Sequence, residues 1–231
     1  MAQQEEFERV EQFAEEALRG LPEPLHSAAQ ELLVTVSHET DADLYGEFYG
    51  LPKGAEGGLG DTPGRVARAM LELTSGYASD PYEILGTVFE EPAGAPAGDL
   101  VVVEGIPFHA LCEHHLLPFP GVATVGYVPS GRIVGLSKIP RLVDAFARRL
   151  QVQERLTAQV ADALNDALAP AGVGVLVSAE HLCLAARGAR QPGVVMTTEA
   201  MRGSLRTDAA LREALARAHD RGVARREGLH G

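Results

Sequence analysis

Cysteine, glutamate and two histidines occupy four consecutive positions in the stretch LCEHHLL, residues 111–117, between flanking leucines. Ionisable and polar side chains of this kind are costly to bury unless hydrogen bonds or a metal ion satisfy them. Cys112 and His115 are three residues apart, a common separation for two ligands that a tight loop supplies to one zinc ion. The stretch therefore predicts one half of a metal site.

A second cluster of the same residue types lies in the stretch AEHLCLA, whose composition predicts a β-strand. It contains Cys183, the second of only two cysteines in the chain, and His181 two residues earlier. Residues so spaced point to the same face of an extended strand, so the two clusters can converge on one metal. Three protein ligands would leave a fourth position for water, as in catalytic zinc sites.

The residue types leave two questions open at this point. A single cysteine is more often a small buried hydrophobic residue than a ligand, and only the pairing of two Cys–His clusters favours the metal. Spacing also does not decide which histidines bind the metal and which transfer protons. A histidine beside the metal, such as His114 or His181, suits proton transfer near neutral pH.

A basic helix start is predicted in the stretch GLSKIPRLVDAF, residues 135–146, where a strand end runs into a helix. Ser137 is the expected N-cap residue. Lys138 and Arg141 fall in the first turn, where cations oppose the helix dipole. That penalty is explained if an anion binds there, held by free N–H groups and both side chains. Arg187 adds a third cation close to the second cluster; solvated basic residues are the alternative.

The stretch QERL carries an acidic residue near the predicted start of the next helix. Glu154 follows Gln153 there, and a carboxylate accepts two hydrogen bonds from the N–H groups on the edge of a guanine ring. Ordinary exposed helix surface is the alternative interpretation of this stretch.

The elements that must position these residues follow from hydrophobic periodicity and from Gly and Pro signals. Amphipathic patterns predict helices over residues 4–19 and 25–37, followed by a Gly-rich acidic linker over 37–60. A further helix start is marked by Asp61 or Thr62 as the cap and by Pro63 in the first turn. Beyond it we expect, in order, the strands LVVVEGI and VATVGYV, helices over about 138–150 and 153–169, the strands VGVLVSAEHLCLA and VVMTTEA, and a helix over about 208–220.

This order predicts an α+β domain with helices on one face of an antiparallel sheet, behind a helical N-terminal extension. We therefore expect an extension and linker over residues 1–60, a catalytic domain over 61–220, and a frayed polar tail over 221–231.

Composition excludes several classes of protein. The 231-residue chain has a formal net charge of −12, which argues against adhesion to nucleic acid or to an anionic membrane. No apolar window is long enough to span a bilayer, and the acidic start MAQQEEFERV is no signal peptide. We expect a cytoplasmic protein whose two cysteines share a metal rather than a disulfide.

Three long motifs, CEHHLLPFPG, GLSKIPRLVDAFARRLQVQERLT and AEHLCLAARGAR, closely resemble bacterial-type GTP cyclohydrolase I. The resemblance runs in order from DTPGRVARAM, which begins at Asp61, to about residue 215. It implies a zinc hydrolase of the tunnelling fold, an antiparallel sheet with a helix pair on one face, assembled as a homodecamer with active sites between subunits. It implies hydrolytic opening of the imidazole ring of GTP, release of formate and formation of 7,8-dihydroneopterin triphosphate, the first step of tetrahydrofolate and pterin biosynthesis.

The resemblance also implies a role for each matching residue. The zinc ligands would be Cys112, His115 and Cys183, and the catalytic imidazoles would be His114 and His181, with His181 protonating N7 of the purine. Residues implied in substrate binding are Gln153 and Glu154 for guanine, Lys138, Arg141 and Arg187 for triphosphate, Ser137 near the ribose, and Arg65 and Arg68 for phosphate from a neighbouring subunit. Arg68 stands where a lysine is usual, which keeps the charge and changes the geometry.

Three other interpretations remain open from the sequence. A structural zinc module would need a fourth protein ligand and would not need the cluster of cations. The nitrile-reductase branch of the same fold uses a nucleophilic cysteine with NADPH and lacks the paired CEHH and EHLC motifs. An enzyme of a specialised pterin or deazapurine pathway would carry the same site residues, so the sequence does not separate it from a folate enzyme.

Overall fold

The computed structural model describes residues 62–90 and 99–227. The helices predicted over 4–19 and 25–37 and the linker over 37–60 lie outside the described residues. The first described element is helix α1 (Thr62–Leu73), which starts where its cap signals predicted. The chain divides into two compact units, Met1–Glu72 and Leu73–Gly231; the functional boundary expected at residue 60 stays a prediction.

The second unit alternates strands and helices. Its elements are a 3₁₀ helix (Ser75–Ala78), α2 (Pro81–Ile84), β1 (Val88–Glu90), β2 (Val101–Cys112), β3 (Pro118–Val128), β4 (Arg132–Val134), α3 (Lys138–Ala147), β5 (Leu150–Gln151), α4 (Gln153–Leu168), β6 (Gly172–Glu180), α5 (Leu182–Ala185), β7 (Val195–Gly203), α6 (Ser204–Thr207) and α7 (Ala209–Glu227).

The main sheet has five strands in the order β5-β2-β3-β6-β7. All its pairs are antiparallel except the short parallel pairing of β5 with β2. A separate antiparallel pair joins β1 to β4. The predicted mixed α+β architecture with an antiparallel sheet is thus confirmed. The sheet brings the end of β2, the start of β3 and the end of β6 to the same end of the sheet. The candidate ligands follow β2 and β6 in the sequence, so they lie near this end.

The helix pair α3 and α4 covers one face of this sheet, as predicted. Val125 of β3 and Val175 of β6 face each other in register and are fully buried under the helices. On α4, Leu156, Val160 and Leu164 are spaced by four residues and form the buried stripe that packs on these strands. Each such buried side chain stabilises the fold by about 1.5–3 kcal/mol, so α4 is held firmly at the edge of the site.

The opposite face of the sheet is also covered, which the prediction of helices on one face did not include. Leu205 and Leu215, from α6 and α7, form a second buried cluster with Leu176 of β6. Leu215 lies over Gly174, where an added Cβ would come within 2.4 Å of its side chain. The glycine therefore makes room for the helix, and strands β3 and β6 are buried on both faces.

Helix α7 is longer than predicted. A helix to about residue 220 and a frayed tail over 221–231 were expected, whereas α7 continues to Glu227. Gly222 lies against the β2 bulge at Gly105 so closely that an added Cβ would come within 2.7 Å of the Gly105 amide nitrogen. Close packing of two glycine backbones leaves no hydrophobic signal in the sequence, which explains the error.

A buried histidine joins α7 to the sheet. His219 is 4% exposed, and its Nε2 and Nδ1 atoms lie 2.7 Å from Ser178 Oγ and 3.1 Å from Thr124 Oγ1. Burial lowers the pKa of His219, and the neighbouring Asp220 carboxylate only partly opposes this effect. Both ring nitrogens are satisfied by hydroxyl groups in the neutral form, so protonation of the folded state is unfavourable.

The stability of the chain is expected to fall in acid because of His219. Its pKa is lower in the folded than in the unfolded state, so the unfolded chain takes up the proton first. The contribution is present above about pH 6.5 and is lost as the pH falls through that value toward the folded pKa, with a slope of at most about 1.4 kcal/mol per pH unit. Urea unfolding of wild type and His219→Gln between pH 8 and pH 5 measures this slope.

The matched control for that experiment is His109→Gln, because His109 is an exposed histidine of β2. The His219→Gln variant should show a shallower pH dependence than wild type, and the His109→Gln variant should not differ from wild type. Identical slopes in wild type and His219→Gln would contradict the assignment.

Candidate active site

A tight turn between β2 and β3 presents the first pair of candidate ligands; we call residues 112–117 the ligand turn. The amides of His115 and Leu116 lie 3.3 and 2.8 Å from the Cys112 carbonyl oxygen, and the Cys112 amide donates to the Leu117 carbonyl at 2.9 Å. Leu116 adopts a left-handed backbone, φ 53°, which reverses the chain. As a result His115 Nδ1 lies 3.6 Å from Cys112 Sγ.

The second cluster has a different local structure from the one predicted. Strand β6 ends at Glu180, and His181 caps the short helix α5. Cys183 therefore lies in a helical turn, which closes when the Ala185 amide donates to the His181 carbonyl at 2.9 Å. The prediction that His181 and Cys183 share one face of an extended strand was wrong, because Cys183 lies in a helical turn and the two side chains contact different partners.

The structure nevertheless brings together the three expected ligands. Cys112 Sγ, a ring nitrogen of His115 and Cys183 Sγ all lie within 4.8 Å of one another, the one such group of metal-ligating side chains within 62–90 and 99–227. Two thiolates and an imidazole are soft donors of the kind that hold zinc, and three of them leave a coordination position open. The donor set therefore fits a metal ion.

Electrostatics at the two cysteines agree with this interpretation. Burial and the neighbouring Cys112 raise the pKa of the Cys183 thiol, while Arg187 lowers it. Two adjacent thiols do not readily ionise together without a cation between them. Cys112 is buried, Cys183 is partly buried, and His115 is exposed, so the group opens to solvent on the histidine side.

His181 lies beside this group in a fixed orientation. Its ring stacks on Phe119 with centroids 4.6 Å apart and an interplanar angle of 6°. Its Nε2 lies 2.8 Å from Gln153 Oε1. Burial lowers the pKa of His181, and the Glu154 carboxylate opposes this effect. A neutral imidazole near physiological pH is the form suited to exchanging protons.

Gln153 decides which nitrogen of His181 carries the proton. Its Nε2 amide group donates to the carbonyl oxygens of Val177 and Met196, at 3.0 and 2.9 Å. Two carbonyl acceptors fix the amide orientation, so Gln153 Oε1 faces His181 and accepts its Nε2–H. The side chain of Gln153 is 1% exposed, and its contact with guanine stays a prediction that would require these bonds to rearrange.

His114 lies on the solvent side of the ligand turn. Its Nδ1 is 3.9 Å from Cys112 Sγ and its Nε2 is 3.8 Å from a Glu113 carboxylate oxygen. The side chain is 64% exposed, so it is free to contact a bound molecule beside the metal group. The two candidate catalytic histidines thus occupy different environments, one stacked and partly buried and one exposed.

Most of the predicted substrate-binding residues lie at or near helix starts. Ser137 is the N-cap residue of α3, as predicted, but its backbone is helical and its side chain makes no capping hydrogen bond. Lys138 and Arg141 lie in the first turn of α3, and Glu154 is exposed in the first turn of α4. The remaining predicted cations are exposed: Arg187 just after α5, and Arg65 and Arg68 on α1 in the first unit.

Sequence reasoning missed two residues beside the metal group. Arg155 donates through Nη2 to the Glu113 carboxylate at 2.5 Å, and Glu113 stands within the ligand turn. The one available signal was a cation in the first turn of α4, where it opposes the helix dipole. The motif QERL contained that signal, but nothing in it identified Glu113, 42 residues earlier in the sequence, as the partner of Arg155.

The sequence of the chain matches a known protein family. A family model described as GTP cyclohydrolase I matches residues 52–220. Among the described residues, every helix is too short or too polar to span a bilayer.

Three relatives illustrate the similarity, and each carries the name GTP cyclohydrolase 1. The Mycobacterium ulcerans (strain Agy99) protein is 50% identical over 197 residues, 84% of this chain and 89% of its own. The Mycobacterium leprae (strain Br4923) protein is 50% identical over 188 residues, 80% of this chain and 83% of its own. The Mycobacterium avium (strain 104) protein is 56% identical over 157 residues, 67% of this chain and 75% of its own. The chain therefore belongs to the GTP cyclohydrolase I family.

Proposed function

We infer that this chain catalyses the reaction of its family, the hydrolytic opening of the imidazole ring of GTP. The reaction releases C8 as formate and forms 7,8-dihydroneopterin triphosphate, the first step of tetrahydrofolate and pterin biosynthesis. The observation that carries the inference is the meeting of Cys112, His115 and Cys183 in a chain that matches the family over residues 52–220.

We propose zinc as the metal, held by Cys112, His115 and Cys183. When bound, zinc supplies Lewis acidity and activates water as a nucleophile near neutral pH. The open side of the group is the exposed His115 side, beside His114, and a purine ring would enter there.

His181 and His114 would carry out the proton transfers of the reaction. Gln153 accepts the Nε2–H of His181, which leaves Nδ1 as the atom that would take up a proton from water and pass it to N7 of the purine. Protonation of N7 makes C8 more electrophilic. The stacking of His181 on Phe119 restrains ring rotation, so this nitrogen keeps a fixed direction. His114, being exposed, would exchange protons between the reacting centre and water.

The remaining residues would bind GTP. The Glu154 carboxylate would accept hydrogen bonds from the N–H edge of guanine, beside Gln153. Lys138, Arg141 and Arg187 would neutralise triphosphate charge, which serves positioning more than covalent chemistry. Ser137 would lie near the ribose. Arg65 and Arg68 would reach phosphate from a neighbouring subunit, in a cytoplasmic homodecamer with active sites between subunits.

The function is tested by measuring formate released per GTP consumed by the purified full-length chain. We expect one formate per GTP, loss of the activity after chelation, and recovery when zinc is added back. The control is ATP, whose six-membered ring lacks the N–H edge that Glu154 is proposed to bind. Absence of formate from a zinc-loaded protein would contradict the proposed function.

A further inference from the structure

Arg155 makes three hydrogen bonds that join the start of α4 to its surroundings. Its Nη2 donates to Glu113 Oε2 at 2.5 Å and to the Leu150 carbonyl at 2.8 Å. Its Nε donates to Gln151 Oε1 at 3.0 Å. One planar guanidinium thus connects β5, α4 and the ligand turn, a fork of donors that only arginine offers.

The partners of Arg155 are themselves fixed. Gln151 is 1% exposed, and its Nε2 amide donates to the Phe146 carbonyl at 2.9 Å and to Gln159 Oε1 at 2.8 Å. These acceptors turn Gln151 Oε1 toward Arg155. The Gln151 carbonyl also accepts the backbone N–H of Glu113 at 3.0 Å. Glu113 is therefore held twice, through its backbone by β5 and through its carboxylate by Arg155.

The ligand turn is closed by its own backbone hydrogen bonds, and Glu113 stands in the middle of its metal-binding half. Cys112 precedes Glu113 directly, His114 follows it, and His115 closes the turn. The second carboxylate oxygen of Glu113 faces His114 Nε2 at 3.8 Å. Loss of the bond to Arg155 would leave Glu113 joined to β5 through its backbone N–H, which would loosen the segment that carries the metal ligands and the exposed imidazole.

The ion pair between Arg155 and Glu113 is expected to contribute little to folding stability. The Arg155 and Glu113 side chains are 41% and 32% exposed, and ion pairs open to solvent contribute little, typically about 0–1 kcal/mol. A cation in the first turn of a helix also opposes the helix dipole. The geometry, rather than the charge, is what this residue supplies.

We propose that Arg155 is a positioning residue: it fixes the Glu113 carboxylate and thereby holds the ligand turn in the shape that presents Cys112, His115 and His114. The inference rests on the proposed function for its catalytic consequence. It does not rest on it for zinc retention, which is measured without GTP and without catalysis.

The test compares Arg155→Lys, Arg155→Gln and Glu113→Gln with the control Arg217→Gln in the full-length chain. Arg217 pairs with Glu213 on the exposed surface of α7, so its loss removes an ion pair far along the sequence from the turn. Zinc affinity is measured by competition with a chromophoric chelator without GTP. Rates of formate release give kcat and KM, and the thermal midpoint checks folding.

We expect Arg155→Lys, which keeps the charge but not the fork, to weaken zinc affinity or lower kcat by about 10–100-fold. The KM for GTP should change by less than about threefold, because no contact with substrate is removed. Combining Arg155→Gln with Glu113→Gln should cost no more than either change alone, as expected when both act through one contact. The control should match wild type.

Wild-type zinc affinity and kcat in Arg155→Lys would overturn the proposal, and so would losses that multiply in the double variant. If Arg155→Gln fails to fold, Glu113→Gln tests the proposal instead. This change keeps the size and shape of the side chain, so it should not disturb the fold of the turn. A wild-type protein that retains zinc but releases no formate would instead contradict the proposed function, and the zinc competition would still decide the role of Arg155.

Discussion

Replacing Cys112 or Cys183 by alanine is expected to remove the metal and GTP ring opening together. The structure brings three ligand atoms within 4.8 Å, and within the described residues no fourth Cys, His, Asp or Glu joins them. Two remaining donors hold zinc weakly, because zinc sites in proteins use at least three. The loss of Lewis acidity is worth several kcal/mol, so activity should fall by at least about 1,000-fold.

Zinc per subunit and formate released per GTP are measured on the same preparations. The control is His109→Ala, which removes an exposed histidine of β2 three residues before Cys112. That variant should keep both zinc and activity. A Cys112→Ala or Cys183→Ala protein that has lost its metal and retains full activity would contradict the assigned metal centre.

The part of the site in the ligand turn was predictable because its two candidate ligands are close together in the sequence. Cys112 and His115 are three residues apart, and one turn of chain sets their separation at 3.6 Å between Sγ and Nδ1. Cys183 does lie beside Cys112 and His115, but the local structure predicted for it was wrong, because it lies in the helix α5 and not in a strand. The stretch HLCLA has residues that suit either structure, and only the end of pairing at Glu180 decides between them.

The supporting contacts were not predictable, because they join residues far apart in the sequence without a hydrophobic pattern. Gln153 reaches a carbonyl 43 residues away, and Arg155 reaches Glu113 across 42. In the fold, likewise, β3 and β6 were predictable as strands from their β-branched runs, whereas their burial on both faces and the Gly222–Gly105 approach were not. Polar and glycine contacts depend on the completed tertiary structure.

Replacing Glu154 by glutamine is expected to reduce selection of GTP over ATP by about 100-fold or more, because sites built to hydrogen-bond a substrate group discriminate strongly. The carboxylate offers acceptors to two N–H groups of guanine, whereas glutamine keeps one acceptor and turns an N–H donor toward a donor. Glu154 is exposed in the first turn of α4 and so is accessible to a ligand. It contributes no ligand to the metal group, so zinc content should stay unchanged.

The comparison of kcat/KM for GTP and for ATP in wild type and Glu154→Gln measures this selection, with Glu213→Gln, an exposed carboxylate of α7, as the control. A fall in kcat/KM for GTP at full zinc occupancy separates recognition from metal binding, because loss of a cysteine ligand would lower both. Unchanged discrimination in Glu154→Gln would remove Glu154 from guanine recognition. In that outcome the guanine edge would have to be bound by backbone groups or by Gln153, whose carboxamide would then have to release His181.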